Sequence, residues 1–304
     1  MKYVYLALSV SFAAAPLTES DETGPVYAHA DPVISGSGIP TAPVRLWPWL
    51  EVNTLAAWRE DQAVEGLLAW QKATDTAIIS TRPGCAPLYA NLRRRVPGMH
   101  IIPGLKTSKL LPRFDSVEGW KAVASEALLL CDAANEKRLV LEHEGALRGY
   151  WSGDYEIDPD RLRRALALLP HDIEYIWYPG FVGEKEELRR RQELVCRIAN
   201  ETIAVRFTDI TYGSPADVKY RKRPHMQKRL AEIEKLVTLP LIPMLYCLRH
   251  ERRGEIYWPM KDVLQTASQT QQQEVIVYPG AKRWTRCAEI IAGQLAQRGA
   301  GDRP

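Results

Sequence analysis

Eight times along this chain of 304 residues a short apolar run ends in a loop and gives way to a segment whose apolar residues fall three and four apart. The runs are VRLWPWLEV (44–52), DTAIIST (75–81), MHIIPGL (99–105), RLVLEHE (138–144), IEYIWYPG (173–180), TIAVRFTD (202–209), LPLIPMLY (239–246) and EVIVYPG (274–280). Segments such as TLAAWREDQAVEGLLAWQKA, SVEGWKAVASEALLLCDAANEK, DPDRLRRALALLP, KEELRRRQELVCRIAN, HMQKRLAEIEKLV and TRCAEIIAGQLAQRG carry the helical spacing. Two of these have clear starts: Asp158 before Pro159, and Ser116 ahead of the segment that bears Trp120. Strands apolar on both faces need cover on both, which is the condition of a parallel sheet flanked by helices. Eight strand-helix units can close on themselves, and such a closed fold takes about 250 residues. The pattern therefore predicts an α/β chain: a single (β/α)8 TIM-type barrel over 44–304 with an N-terminal extension at 1–43. A doubly wound open sheet is the rival, but no GxGxxG or Walker-type loop follows the first run. Proline-glycine pairs at 83–84, 103–104, 179–180 and 279–280 turn the chain at run ends, where the loops of a barrel site begin.

The residues before 44 read differently. MKYVYLALSVSFAAAPL has the basic start, apolar stretch and small residues of a secretory signal, yet YVYLALSV also suits a strand. A signal implies a secreted or periplasmic protein, a strand a cytoplasmic one. Residues 16–43, rich in Pro, Gly, Ser and Asp, read as a linker or surface wrap. No other segment has the ~18 apolar residues that span a bilayer. A net charge of +3 is too small an excess of base to point to nucleic acid, so a small molecule or neutral polymer is the expected partner. The five cysteines are dispersed and include no CxxC pair, which suggests neither a disulfide framework nor a zinc site.

The fourth run closes on Glu142, His143 and Glu144. In a strand Val140, Glu142 and Glu144 share one face, with Leu141 and His143 on the other. If that face is the barrel interior, Glu144 tops the barrel and Glu142 lies one layer below, where a charge or proton on it raises the pKa of Glu144 and fits that residue to act as general acid. The bland reading pairs Glu142 with a base such as Arg206 and leaves Glu144 in solvent. Other run ends supply companions. Asp209 is the next acid and Glu51 a third; Tyr178, Tyr246 and Tyr278 offer phenols, and Arg82 and Lys106 offer cations for an anionic group. Trp151, in the glycine-rich stretch RGYWSGDY, together with Trp177 and Trp284, offers flat faces on which sugar rings stack; Trp70 and Trp120, on helical segments, read as core. Two glutamates on one face also suit Mg²⁺ or Mn²⁺, but the six histidines show no paired spacing, so neither a metal nor another cofactor is expected.

On these residues the chain resembles glycoside hydrolases built on (β/α)8 barrels. The likeness is to chitinase-like barrels whose fourth strand ends in D-x-E; Glu142 stands where they carry aspartate, and Glu144 stands at the acid. The resemblance implies that Glu144 protonates the leaving oxygen of a glycosidic bond in a carbohydrate substrate, and that Glu142 or Asp209 stabilises the oxocarbenium ion or activates water. The seventh run ends in Tyr246 and Cys247, not in the nucleophilic glutamate of the other large barrel clan. A non-catalytic carbohydrate-binding barrel and a metal-dependent lyase or hydrolase are the alternatives.

Overall fold

The computed structural model describes residues 45–52, 57–178, 186–202, 205–212, 241–246 and 274–278, with a few helical positions between 285 and 293. The strands are β1 (Arg45–Val52), β2 (Thr76–Thr81), β3 (His100–Lys106), β4 (Arg138–Glu142), β5 (Glu174–Tyr178), β6 (Val205–Tyr212), β7 (Leu241–Tyr246) and β8 (Glu274–Tyr278). The helices are α1 (Ala57–Trp70), α2 (Ala86–Arg95), α3 (Val117–Ala134), α4 (Glu144–Ser152), α5 (Pro159–Leu166) and α6 (Glu186–Thr202). Each strand pairs in parallel with the next, and β8 returns to β1, with Leu46 opposite Val275. The connections from β6 to β8 lie outside the described residues, as do Trp258, Trp284 and the N-terminal segment, so strand-helix alternation is described for the first six strands of this curled parallel α/β sheet. Among the described residues no helix is long and apolar enough to cross a membrane.

Period-two alternation sorts the side chains into two cores. Trp47, Trp49, Ile78, Ile102, Val140, Ile176, Tyr178, Ile242, Met244 and Ile276 pack with one another on the inner face. Leu50, Ile79, Ile101, Leu139, Leu141, Trp177 and Val275 face outward and pack with α-helical residues such as Leu67, Leu88, Trp120 and Leu147. The helix starts follow local chemistry: Ser116 accepts from the amide of Gly119, and Asp158 from those of Asp160 and Arg161.

Two sequence expectations need correction here. The fourth strand ends at Glu142, and Glu144 opens α4. The glycine-rich segment that bears Trp151 lies largely in that helix, and Gly145 and Gly149 pack closely against neighbours. A side-chain carbon at Gly145 would come within 2.8 Å of Ser108, and one at Gly149 within 3.0 Å of the Tyr155 ring. At Gly145 a side chain would force Ser108 to shift, and at Gly149 the Tyr155 ring would have to give by a few tenths of an ångström. Trp151 therefore sits half-buried in the last turn of α4, packed on the outer core, because the turn supplies a core that a loop does not.

The largest side chains between sheet and helices set the stability of this layer. Trp120 and Trp177 stack with centroids 6.2 Å apart, and the indole of Trp120 donates to the carbonyl of Phe114 at 2.7 Å. Trp120→Ala is expected to cost about 3–5 kcal/mol, read as a lower midpoint in denaturant unfolding, since it removes both the buried area and the donor.

Candidate active site

At the C-terminal end of the sheet the inward positions stop being apolar. Glu51 follows Trp49 on the inner face of β1, Ser80 follows Ile78 on β2, Lys106 lies two steps beyond Gly104 on β3, and Glu142 follows Val140 on β4. The register places Glu51 beside Ser80, and Lys106 beside Glu142, which in turn lies beside Tyr178 on β5. The side chains meet across the interior. Lys106 Nζ donates to Glu51 Oε2 at 3.0 Å and stands 3.6 Å from Glu142 Oε1. Ser80 Oγ donates to Glu142 Oε2 at 2.8 Å, and Tyr278 Oη, from β8, donates to Glu51 Oε1 at 3.0 Å. The ammonium and the acids are each only partly exposed, at 19% for Lys106, 20% for Glu51 and 13% for Glu142. Below them Trp49 and Tyr178 meet edge to face, centroids 5.4 Å apart, and close the floor.

Burial pushes the Glu142 carboxyl up to about 7; the Lys106 ammonium pulls against it, the Glu51 charge adds to it, the Ser80 hydroxyl opposes it and Glu144 adds again. Near neutrality Glu142 is thus divided between acid and carboxylate. The Glu144 carboxyl is also raised, first by loss of water around it and then by the Glu51 charge, against Lys106 and Arg148. Although Glu144 is exposed as a residue, the nearby protein still removes part of its carboxyl's water. The Glu51 charge lifts Glu144, and the repulsion between Glu144 and Glu142 adds to the rise at Glu142, although Glu144 has left the strand and opens α4. His143 turns outward into the helix layer, fully buried, and burial lowers its imidazole to about 3. It is a neutral core residue and does not join the acids that flank it in sequence.

Of the residues expected at the site, Glu142, Lys106 and Tyr178 come together on the inner face, joined by Glu51 and Tyr278. Lys106, expected as a cation open to an anionic substrate, is instead shared between two carboxylates. Trp177 is not available to a substrate: it is fully buried on the outer face of β5, between Phe114, Trp120 and His143. Arg82 is exposed just beyond β2. Asp209 pairs with Pro243 through β6, and Tyr246 with Tyr278 through β7; their side chains, like that of Arg206, lie outside the described residues, as does Trp284. Ser80 was missed, although stepping by two from Ile78 along β2 reaches it. The position between Glu51 and Glu142 that a divalent cation would take is filled by the Lys106 ammonium.

No protein-family model and no curated protein sequence matches the chain. Solved structures do. A glycoside hydrolase family 18 chitinase from Pseudoalteromonas aurantia superposes with a TM-score of 0.52 at 10% identity, over 83% of this chain and 99% of that one. A spore cortex-lytic enzyme from Bacillus cereus gives 0.52 at 8%, over 83% and 74%, and a chitinase from Rhizomucor miehei 0.51 at 9%, over 82% and 98%. At such identities the likeness is one of fold.

The raised Glu142 has a measurable signature in stability. Its carboxyl goes from about 7 when folded to the ordinary 4.5 when unfolded, so between those values the folded state binds the extra proton and the stabilisation is lost as pH rises through 7. Unfolding free energies of wild type and Glu142→Gln, compared across pH, are expected to diverge in favour of the variant by about 1–3 kcal/mol between pH 4.5 and pH 8. A constant difference over that range would contradict the raised carboxyl. His143, lowered in the fold, gives the opposite slope between about 3 and 6.5 in both proteins and cancels from the comparison.

Proposed function

We propose that residues 44–304 form a (β/α)8 barrel enzyme of the glycoside hydrolase type that cleaves a glycosidic bond in an oligo- or polysaccharide by carboxylate acid catalysis. The observation that carries this reading is the pair Glu142 and Glu51, two carboxyl groups on the inner face at the C-terminal end of the sheet that reach one ammonium group. Barrel enzymes build their sites at that end, and glycoside hydrolysis needs one protonated and one ionised carboxyl across a scissile bond. Glu142, with a carboxyl near 7, is the proton donor; Glu51, oriented by Lys106 and Tyr278, is its partner. Glu144, at the rim, is the second candidate for the acid, and Asp209 is the alternative partner to Glu51. Trp49 and Tyr178, both buried and meeting edge to face, back the acids from within the inner core. Arg82, Tyr246 and Trp284 are proposed as outer substrate contacts.

The two carboxyls share one ammonium, with oxygens 3.0 and 3.6 Å from it, which supports the ~5 Å spacing of retaining enzymes over the roughly 6.5–9.5 Å of most inverting ones. Purified protein is to be screened against a panel of oligosaccharides, with the anomer formed first read by NMR. Retention is expected; an inverted first product would exclude Glu51 as nucleophile. Glu142→Gln is expected to lower kcat by at least about 10²-fold, and Glu144→Gln by less. Full activity in Glu142→Gln with loss in Glu144→Gln would return the acid role to the rim residue.

Lys106→Met removes the charge that holds Glu142 down, so the basic limb of the pH-rate profile is expected to move to higher pH. An unmoved or lowered limb would show that Glu142 does not set it.

A further inference from the structure

The turn that ends β4 is held by two buried side chains that never reach the interior. Thr107, the first residue after β3, is fully buried, and its Oγ1 donates to the main-chain carbonyl of Glu142 at 3.0 Å. The same oxygen lies 2.9 Å from Nδ1 of His143. A threonine hydroxyl has one proton, so with that proton on the Glu142 carbonyl the remaining contact requires Nδ1 of His143 to be the donor. His143 is then the Nδ1–H tautomer, and Nε2, which is buried and has no hydrogen-bond partner, is a bare acceptor. Its ring is fixed on three sides: centroids lie 4.4 Å from Trp177, 5.1 Å from Phe114 and 5.4 Å from Trp120. Its backbone amide donates to the carbonyl of Tyr178 at 2.7 Å, and its own carbonyl accepts the first hydrogen bond of α4, from Leu147 at 2.9 Å.

We propose that Thr107 and His143 are positioning residues for the candidate acid: the hydroxyl ties the Glu142 carbonyl, and the imidazole N–H fixes where that hydroxyl points. The chain leaves the sheet at His143, one residue after the carboxylate that must face inward. Without a tie at the Glu142 carbonyl, the last residue of the strand has only the backbone ladder to hold its side chain in the enclosed position beside Ser80 and Lys106. A tie from the helix side of the sheet adds a constraint and takes no space from the interior. His143 suits the task because it is neutral across the physiological range, so it adds no charge to the rim.

This inference rests on Glu142 as the acid, but its test needs no substrate. The Glu142 carboxyl is to be titrated by carbon-13 NMR in folded wild type, Thr107→Val and Thr107→Ser, and the tautomer of His143 read from its nitrogen-15 shifts. The groups that face Glu142 and must be followed with it are Glu51, Lys106, Ser80, Tyr178 and Glu144. The expected result is a protonated Nδ1, a Glu142 midpoint in Thr107→Val lower than wild type by about one pH unit as the carboxyl relaxes toward water, and a wild-type midpoint in Thr107→Ser. A protonated Nε2 would overturn the assignment, and wild type alone suffices to read it. Equal midpoints in Thr107→Val and wild type, or the same shift in Thr107→Ser as in Thr107→Val, would overturn it as well. A normal titration result with no sugar cleaved would instead discard the glycosidase reading and leave the positioning role standing.

Discussion

The inner end of the sheet carries Glu51 and Glu142 within a few ångströms of each other, with Glu144 above them, and what makes that grouping tolerable is the ammonium of Lys106. Unit charges about 4 Å apart interact by about 4 kcal/mol at the effective dielectric of a protein surface, so three carboxyls around a half-buried rim repel strongly unless a cation or protons intervene. Lys106 supplies the cation to two of them at once. The proton is supplied by the environment: burial raises Glu142 until one of the acids is half neutral at ordinary pH. The closeness of β1, β3 and β4 at this end and the acid-base character of the site thus follow from the same charge balance.

One strand divides its labour between the two faces of the sheet. Glu142 faces the interior and takes part in the charge cluster, while the next residue, His143, faces the helices and joins an aromatic layer made by Phe114, Trp120 and Trp177. Strand alternation enforces the separation. It explains why a histidine between two glutamates is not their base: Glu142 and His143 lie on opposite sides of the sheet, and His143 is fully buried on the outer side. The glycines that follow allow α4 to begin at once and to pack against Ser108 and Tyr155, so the site rim is a helix start and not a loose loop.

The fold itself carries little information about the reaction. Chitinases share it with this chain at 10% identity and below, a level at which almost no side chain need correspond. The functional reading therefore stands on Glu51, Ser80, Lys106, Glu142 and Tyr278, and only Glu142 falls within the D-x-E likeness that the sequence displays.

All eight strand segments were legible in the amino-acid sequence, as were α1, α3, α5 and α6, the caps at Ser116 and Asp158, and the inward direction of Glu142, because periodicity and capping are local properties of a few neighbouring residues. α4 was not, since glycine-rich sequence reads as loop until the neighbours that require glycine are known. The fate of Trp177 was not legible either: a tryptophan near a strand end can face the interior or the helices, and only the phase of the strand and the helix packed on it chose the latter. Sequence alone determined which residues alternate. Tertiary structure decided which alternating sets meet, bringing the Glu51 and Glu142 carboxyls to the Lys106 ammonium and Tyr278, 227 positions away in the chain, onto Glu51. The physical reason is that sheet closure and desolvation are collective: a carboxyl's partners and its water are set by strands far away in sequence.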